Sequence, residues 1–323
     1  MAFQTINVTV SSVKAVTTDV REVRLSSSEG QLLPEYGPGA HTMLFLRDDD
    51  GTLLVRHYSL IGGDTQDDPR NVWRIAVKRE QYGQTSNYIH TQLQPGMSVQ
   101  VSVPVNAFPL ERNNAPTLLI AGGIGITPIL SMLRSLTKRS KPVRMIYCGL
   151  NDQNMAYHNE VRTLTNSKAE FLYSEQQQRL HFSQLFNEIS SDTHIYICGP
   201  LPMIESCITA AKQFNWPLQQ LHYELFLANN PLRDGFDVYL QKSRKTVHVH
   251  GNTSILDALN NANIDVLWDC RRGECGVCAQ HVIDADGPIV HRDVCLDDDD
   301  KNKSASVCIC VSRLKGKKIT LDL

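Results

Sequence analysis

The chain is predicted to be a multidomain protein of mixed β and α/β class. Short β-patterns occupy its first part, strands alternating with helical stretches its middle, and a β-rich segment with a cysteine loop its end. At 323 residues it is longer than one ordinary hydrophobic core organises, so two or three domains are expected. Apolar content of 41% with 20% charged residues fits a globular chain with enough material for real cores. A net charge of −2 excludes the basic face of a nucleic-acid binder. Met1 to Val10 lack a basic stretch followed by an apolar one, so no secretory signal is expected. The longest apolar stretch, Thr117 to Leu133, carries three glycines and a proline and is short for a membrane span.

The elements follow in order. Over residues 1–112, Phe3 to Val10, Val20 to Leu25 and Val99 to Val103 alternate, and Pro38-Gly39, Asp50-Gly51, Gly62-Gly63 and Pro95-Gly96 mark turns. Strands at this spacing predict an antiparallel barrel. Over residues 113–228, Thr117 to Ala121 reads as a fully buried strand, Gly122 to Gly125 as a turn and Pro128 to Leu136 as a helix. Strands over Val143–Tyr147, Glu170–Tyr173 and His194–Cys198, and a helix through Cys207 to Phe214, predict a parallel sheet with crossover helices. Asn229-Asn230-Pro231 and Asp234-Gly235 read as a linker. Over residues 236–323, Phe236 to Leu240 and Thr246 to His250 read as a hairpin, Ser254 to Asn261 as a helix, Asp297 to Asp300 as a solvated loop or a contact for a basic partner, and Val307 to Val311 as a strand.

Nine cysteines is an odd number, and with no secretory signal a disulfide framework is not expected. Cys270, Cys275 and Cys278 have the spacing C-x4-C-x2-C, the plant-type signature of a [2Fe–2S] cluster. Thiolates suit iron because they are soft and anionic, and Gly273 and Gly276 let the loop wrap closely. A zinc site would need a second ligand pair that the chain lacks. The fourth ligand is Cys295, Cys308 or Cys310; alternation puts the last two on one strand face, and the pattern does not choose.

Arg56-His57-Tyr58-Ser59-Leu60 ends a barrel strand with an arginine and a hydroxyl for a flavin phosphate and a tyrosine for its ring. Lys78-Arg79 and the loop Tyr82 to Ser86, with Thr85 and Ser86, offer further phosphate donors. Ala121 to Pro128 places Gly122, Gly123 and Gly125 between a strand and a helix, where backbone can approach a pyrophosphate at a helix N-terminus. Tyr196-Ile197-Cys198-Gly199-Pro200 is a second strand end with a tight turn. Its cysteine is either a neighbour of a nicotinamide ring or a small buried thiol.

Taken together, these motifs resemble the phthalate dioxygenase reductase family over essentially the whole chain. The matching stretches are Arg56 to Leu60, Ala121 to Met132, Tyr196 to Pro200, His222-Tyr223-Glu224-Leu225-Phe226, Cys270 to Cys278, Cys310-Val311-Ser312-Arg313 and Leu321-Asp322-Leu323. The resemblance implies a flavin-binding barrel, a ferredoxin-reductase-type nucleotide-binding domain and a C-terminal β-grasp ferredoxin domain. It implies FMN held by Arg56, Tyr58 and Ser59, with Thr127 near its ring and Phe226 at the flavin–nicotinamide face. Gly123, Gly125, Cys198 and Gly199, with Pro200, would line the NADH site, and Cys310 would be the fourth cluster ligand. Thr127, Cys198 and Phe226 are thus the candidates for residues touching the reacting rings. The implied activity carries electrons from NADH through FMN and the cluster to the Rieske centre of a separate non-haem iron oxygenase. Other acceptors in view are a haem or diiron monooxygenase; a non-turnover cluster carrier or redox sensor is the remaining alternative. A monomer in the cytoplasm is expected.

The chain departs from the family pattern at Gly149-Leu150-Asn151, where an arginine often follows the second strand. It also departs at Pro104-Val105-Asn106 and in a phosphate loop poorer in glycine and serine. A 2′-phosphate would need basic residues after that strand, and Asn151-Asp152-Gln153 supplies none, although Arg179 lies in a nearby loop. NADH is therefore expected over NADPH.

Overall fold

The computed structural model describes residues 4–28, 30–48, 50–62, 71–226, 234–251 and 253–323. They form two compact units, one within residues 4–81 and 85–226 and one of residues 82–84 with those within 234–323. The Asn229-Asn230-Pro231 linker and Gly63 of the Gly62-Gly63 turn lie outside the described residues.

In the first unit, β1 (Thr5–Ala15), β2 (Val20–Ser27), β3 (His41–Arg47), β4 (Leu53–Ser59), β5 (Val72–Lys78) and β6 (Ser98–Ser102) build one antiparallel sheet, with the helix α1 (Gln84–Thr91) between β5 and β6 in the chain. Its strand order is β4-β3-β6-β1-β2-β5. The sheet curls into the expected barrel: Ile61, just past β4, donates its N–H to the Arg74 carbonyl of β5 at 2.9 Å. Val23, Leu25, Leu44, Leu60, Trp73 and Ile75 fill the interior, each essentially without exposure.

A parallel sheet follows, made of β7 (Thr117–Gly122), α2 (Ile126–Lys138), β8 (Val143–Gly149), α3 (His158–Leu164), β9 (Glu170–Tyr173), α4 (Phe182–Glu188), β10 (His194–Gly199), α5 (Leu201–Gln213) and β11 (Leu221–Leu225). The order β11-β10-β7-β8-β9 puts β7 in the centre. That position explains its uninterrupted apolar run, because helices cover both faces of such a sheet. The helix expected from Pro128 begins two residues earlier, after a 3₁₀ turn over Gly123–Gly125.

The two sheets of this unit share one apolar core, in which Val20, Ile61, Ala76 and Phe108 join Leu119, Ile129, Leu133 and Tyr147. A buried polar network crosses the same junction. Arg74 donates to Glu22 Oε2 through Nη2 at 2.7 Å and Nε at 3.1 Å. Tyr157 donates its hydroxyl to the same oxygen at 3.0 Å, and Arg24 reaches Oε1 at 2.9 Å. Arg74 also lies 3.7 Å from Glu160, which accepts from Arg134 Nε at 2.7 Å. Burial raises the Glu22 pKa, but the hydrogen bonds and charge of Arg74, aided by Arg24 and Tyr157, outweigh it and hold the carboxyl below its ordinary range.

The second unit contains β12 (Phe236–Leu240), β13 (Lys245–Val249), α6 (Ile255–Asn261), β14 (Ala279–Ala285), β15 (Ile289–Val290), α7 (Asp298–Lys303), β16 (Ser306–Cys308), β17 (Arg313–Leu314) and β18 (Lys318–Leu321). Its main sheet runs β13-β12-β18-β14-β16, with β12 and β18 parallel, and β15 pairs with β17. The expected hairpin is β12 against β13. Ser254 caps α6: its hydroxyl accepts from the Asp257 N–H at 3.0 Å and donates to Asp257 Oδ2 at 2.7 Å. Two expectations are corrected. The acidic run is not a loop: Asp297 accepts from the Asp300 N–H at 2.8 Å, and α7 starts there because carboxylates favour a helix N-terminus. The strand expected over Val307–Val311 stops at Cys308, and residues 309–311 turn.

Replacing Arg74 with methionine leaves the Glu22 carboxylate buried without its main partner. The expected cost is about 3 kcal/mol, read as a lower urea midpoint at unchanged slope. Because the folded Glu22 pKa is depressed, its contribution is present above the unfolded value of 4.5 and is lost as pH falls through the folded value. Acid unfolding of the wild type should therefore be steeper below about pH 4.5 than that of Glu22→Gln, followed by circular dichroism.

Candidate cofactor and cluster sites

In the parallel sheet the chain moves from β7 outward to β8 and β9, then crosses to the other side of β7 for β10 and β11. The crevice at the carboxyl ends of β7 and β10 is thus a topological switch point, where open α/β sheets bind ligands. Both glycine turns picked out from the sequence end there. Gly123 has φ +55°, and a Cβ on it would meet nothing within 4 Å, so this turn presents bare backbone to open space at the start of α2. Gly122, Gly125 and Gly199 do a different job. A Cβ on Gly125 would stand 2.2 Å from the Cys198 carbonyl oxygen, and Gly122 and Gly199 both press on Met203, Gly122 also on Pro200. These glycines bring β7, β10 and the start of α2 together; only Gly123 faces space.

Thr127, buried in the first turn of α2, donates its hydroxyl to the Ile124 carbonyl at 3.1 Å. Cys198 is fully buried between Ala121 and Glu224 in the strand register, and Phe226 is half-buried against the shared core. Sequence reasoning missed two supports. Tyr147, at the end of β8, places its hydroxyl 3.0 Å from the Ala156 carbonyl and 3.2 Å from that of Gly123, bracing the exposed turn. Met203 fills the space that the glycines leave. An apolar tyrosine-ended strand and a lone helix methionine carry no local signal for either task.

On β4, strand alternation divides the Arg56–Ser59 motif between two faces. Arg56 and Tyr58 interact electrostatically; burial lowers the Arg56 pKa and raises that of Tyr58. His57, on the other face, stacks on His41 at 4.8 Å. Ser59 is 4% exposed and Thr85 is 2% exposed, and the hydroxyl of each lacks a hydrogen-bond partner among the described residues. A buried hydroxyl without a partner is costly, which fits two donors waiting for a bound polar group. Ser86 is already used, accepting from the Glu80 N–H at 3.1 Å. Lys78 is exposed at the end of β5.

In the second unit the cysteine loop lies between α6 and β14. Cys270 Sγ accepts from the N–H groups of Arg272 at 3.3 Å and Glu274 at 3.4 Å. Cys275 hydrogen-bonds to Cys270, Cys310 hydrogen-bonds to Cys278, and the Gly273 N–H donates to Cys310. Hydrogen bonds from Cys308 and Cys310 hold the Cys278 thiol well below its ordinary pKa despite burial. Gly273, at φ +75°, has Val311 and Asp293 within 3 Å of where a Cβ would stand, so the loop folds tightly over the turn that carries Cys310. Four sulfurs with backbone N–H groups aimed at them suit an iron–sulfur cluster. The end of β16 distinguishes the two cysteines that the pattern left equivalent: both hydrogen-bond to Cys278, but Cys308 also meets Cys295 at 3.4 Å, while Cys310 sits in the turn beyond the strand.

The chain matches three family models: an oxidoreductase FAD-binding domain over residues 7–109, an oxidoreductase NAD-binding domain over 119–208 and a 2Fe-2S iron-sulfur cluster binding domain over 238–315. It is 34% identical to the 3-chlorobenzoate-3,4-dioxygenase reductase subunit of Comamonas testosteroni, over 99% of this chain and 98% of that one. It is 32% identical to the carnitine monooxygenase reductase subunit of Acinetobacter baumannii, over 97% and 96%. A solved phthalate dioxygenase reductase superposes with a TM-score of 0.82 at 30% identity, covering 99% of this chain and 98% of that one. Fold, sites and comparisons together define an NADH-dependent flavin iron–sulfur oxidoreductase. The chain belongs to the phthalate dioxygenase reductase family.

Gly125→Ala forces the β10 backbone to move, an overpacking worth about 1–3 kcal/mol. Gly123→Ala meets no atom and costs about 1 kcal/mol from its positive φ. The melting temperature should fall further for Gly125→Ala, whereas NADH affinity should respond to Gly123→Ala; the reverse order in calorimetry would contradict this division of roles.

Proposed function

We propose that this reductase takes electrons from NADH through FMN to a [2Fe–2S] cluster and delivers them to the Rieske centre of a separate oxygenase. The observation that carries the reading is the grouping of Cys270, Cys275, Cys278 and Cys310 in a chain that also has an open glycine turn at an α/β switch point. The oxygenase partner is inferred from relatives named as reductase subunits of a monooxygenase and of dioxygenases. FMN rests on the family resemblance, while the matched domain model is described as FAD-binding. The proposed domain limits are 1–112, 113–228 and 236–323. A cytoplasmic monomer completes the reading; among the described residues no helix is long and apolar enough to cross a membrane.

The bound flavin and cluster supply the chemistry that turns a two-electron donor into single-electron delivery; the protein's residues hold and orient. Arg56 offers a largely desolvated positive charge, suited to the flavin phosphate, and Tyr58 a ring on the same strand face. The hydroxyls of Ser59 and Thr85 are spare donors, with Lys78 and Ser86 nearby in sequence. His57, committed to His41, takes a supporting place behind the motif. Gly122, Gly123, Gly125, Gly199 and Pro200 shape the nucleotide crevice, and the start of α2 favours pyrophosphate. Thr127, Cys198 and Phe226 define the walls where nicotinamide and flavin meet, with Thr127 and Cys198 locked by burial. The N–H groups of Arg272, Gly273 and Glu274 favour anionic sulfur at Cys270 and Cys310. Asp152 and Glu175, close to the end of β8, add negative charge that disfavours a 2′-phosphate.

Anaerobic titration with NADH, followed by visible and low-temperature EPR spectra, tests the whole path. Flavin bleaching and a rhombic reduced [2Fe–2S] signal are expected, with FMN released on denaturation. A cluster reduced by dithionite but not by NADH would reject the path. Cys275→Ser should lose cluster-dependent cytochrome c reduction and keep NADH–ferricyanide activity; equal loss of both would reject the division of labour. Thr85→Ala should weaken flavin retention about tenfold, measured by fluorescence on dilution, without lowering the stability of the flavin-free protein, since it removes an unpartnered hydroxyl.

A further inference from the structure

Cys295 and Cys308 stand outside the four cysteines proposed for the cluster, yet their sulfurs lie 3.4 Å apart. Cys308 is fully buried at the end of β16, opposite Ala279 of β14. Cys295 is half-buried on the segment between β15 and α7. Asp293 belongs to the same group: its carboxylate and the two sulfurs all fall within 4.8 Å of one another. Such a trio has the composition of a cation site, but the carboxylate is already committed. Its Oδ1 accepts from the Ser312 hydroxyl at 3.1 Å and its Oδ2 from the Leu296 N–H at 3.1 Å. Lys301 Nζ lies 3.5 Å away and His291 Nδ1 3.6 Å away. A cation is therefore already present as Lys301; Cys295 Sγ also donates to Asp293 Oδ2 at 4.0 Å and Cys308 also reaches Cys278, and the two sulfurs meet each other at 3.4 Å.

We propose that Cys295 and Cys308 are a peroxide-responsive thiol pair that closes reversibly to a disulfide within the iron–sulfur unit. Cys295 is the more accessible sulfur and reacts first. Its thiolate attacks one oxygen of hydrogen peroxide, the O–O bond breaks, and the departing hydroxide takes a proton to leave as water, giving a sulfenic acid. Cys308 sulfur then attacks Cys295 sulfur, the S–O bond breaks, and the Cys308 proton leaves with the hydroxide as a second water. Two thiols lose two electrons and two protons in all, and one peroxide becomes two waters. A small thiol reverses the step by disulfide exchange. The pair is well placed for this: Cys308 hydrogen-bonds to Cys278, so a peroxide formed by electron leak at a cluster held there would arise one sulfur away. This inference rests on Cys310, not Cys308, being the fourth ligand.

The test uses the full-length holoprotein, treated with hydrogen peroxide, quenched, denatured, alkylated without reductant and digested for mass spectrometry. The expected product is a peptide pair joined through Cys295 and Cys308, two hydrogens lighter than the reduced peptides, lost on dithiothreitol treatment while the EPR signal of the cluster persists. Cys295→Ser should abolish the cross-link and keep the cluster; because Cys295 is half-buried, this variant serves even where Cys308→Ser does not fold. Oxidation of Cys295 to sulfinic acid without a cross-link would overturn the proposal. So would disulfides that appear only in step with cluster bleaching, or a stoichiometric zinc ion that Cys295→Ser removes. The ligand assignment is tested separately, by cluster loss in Cys310→Ser with Cys295 and Cys308 intact.

Discussion

The ion pair between Glu22 and Arg74 governs how the first unit holds together. It lies almost without exposure at the junction of the curled antiparallel sheet and the parallel one. A charge there is tolerable only with full compensation, and every component supplies some. The carboxylate takes donors from Arg74, Arg24 and Tyr157, and Arg74 also faces Glu160. Tyr157 comes from the α/β side and Glu22 from β2, so the network specifies one docking of the two layers where apolar contact alone would allow sliding. Gly39 adds a second lock: its N–H donates to Ser131 of α2 at 3.0 Å, and a Cβ there would strike the Phe108 carbonyl.

That docking matters because the strand proposed to hold the flavin and the crevice proposed for the nicotinamide belong to different sheets. Electron transfer between two bound rings needs their separation held constant, and a shared core with a compensated buried charge gives a stiff joint. Within the crevice, close packing by Gly125, Gly199 and Met203 and the brace from Tyr147 hold the backbone that Gly123 exposes. Rigidity around one open turn is how a site without acid–base chemistry contributes to rate: through position rather than proton transfer.

The second unit solves a different problem. A cluster loop cannot be regular structure, because its N–H groups must point at sulfur. Positive φ at Arg271, Gly273 and Gly276 provides that irregular path. The loop is tied down by Ser312 and Asp293 beneath it and by the capped helix α6 before it. The same packing brings two further cysteines into contact beside the four proposed as ligands, so the sulfur content of this unit exceeds what a cluster requires.

The strands and crossover helices, the cysteine spacing and the two glycine turns were legible in the sequence, because each is a local constraint. Periodicity reports which face is buried, ligand spacing reports loop size, and glycine reports backbone that a side chain would obstruct. What remained hidden was relational. Alternation made Cys308 and Cys310 equivalent; both reach Cys278, and only the end of β16 put Cys308 against Cys295 and left Cys310 in the turn beyond the strand. Three glycines looked alike until the pairing of β7 with β10 turned two of them to packing and left Gly123 facing space. The acidic run Asp297–Asp300 is solvated as expected, but the Asp297 cap makes it a helix start where a loop was expected. The sequence by itself determined which elements form and which chemistry the side chains can hold; the tertiary structure decided which of those side chains meet, since contacts between distant segments depend on strand order and packing that no local pattern encodes.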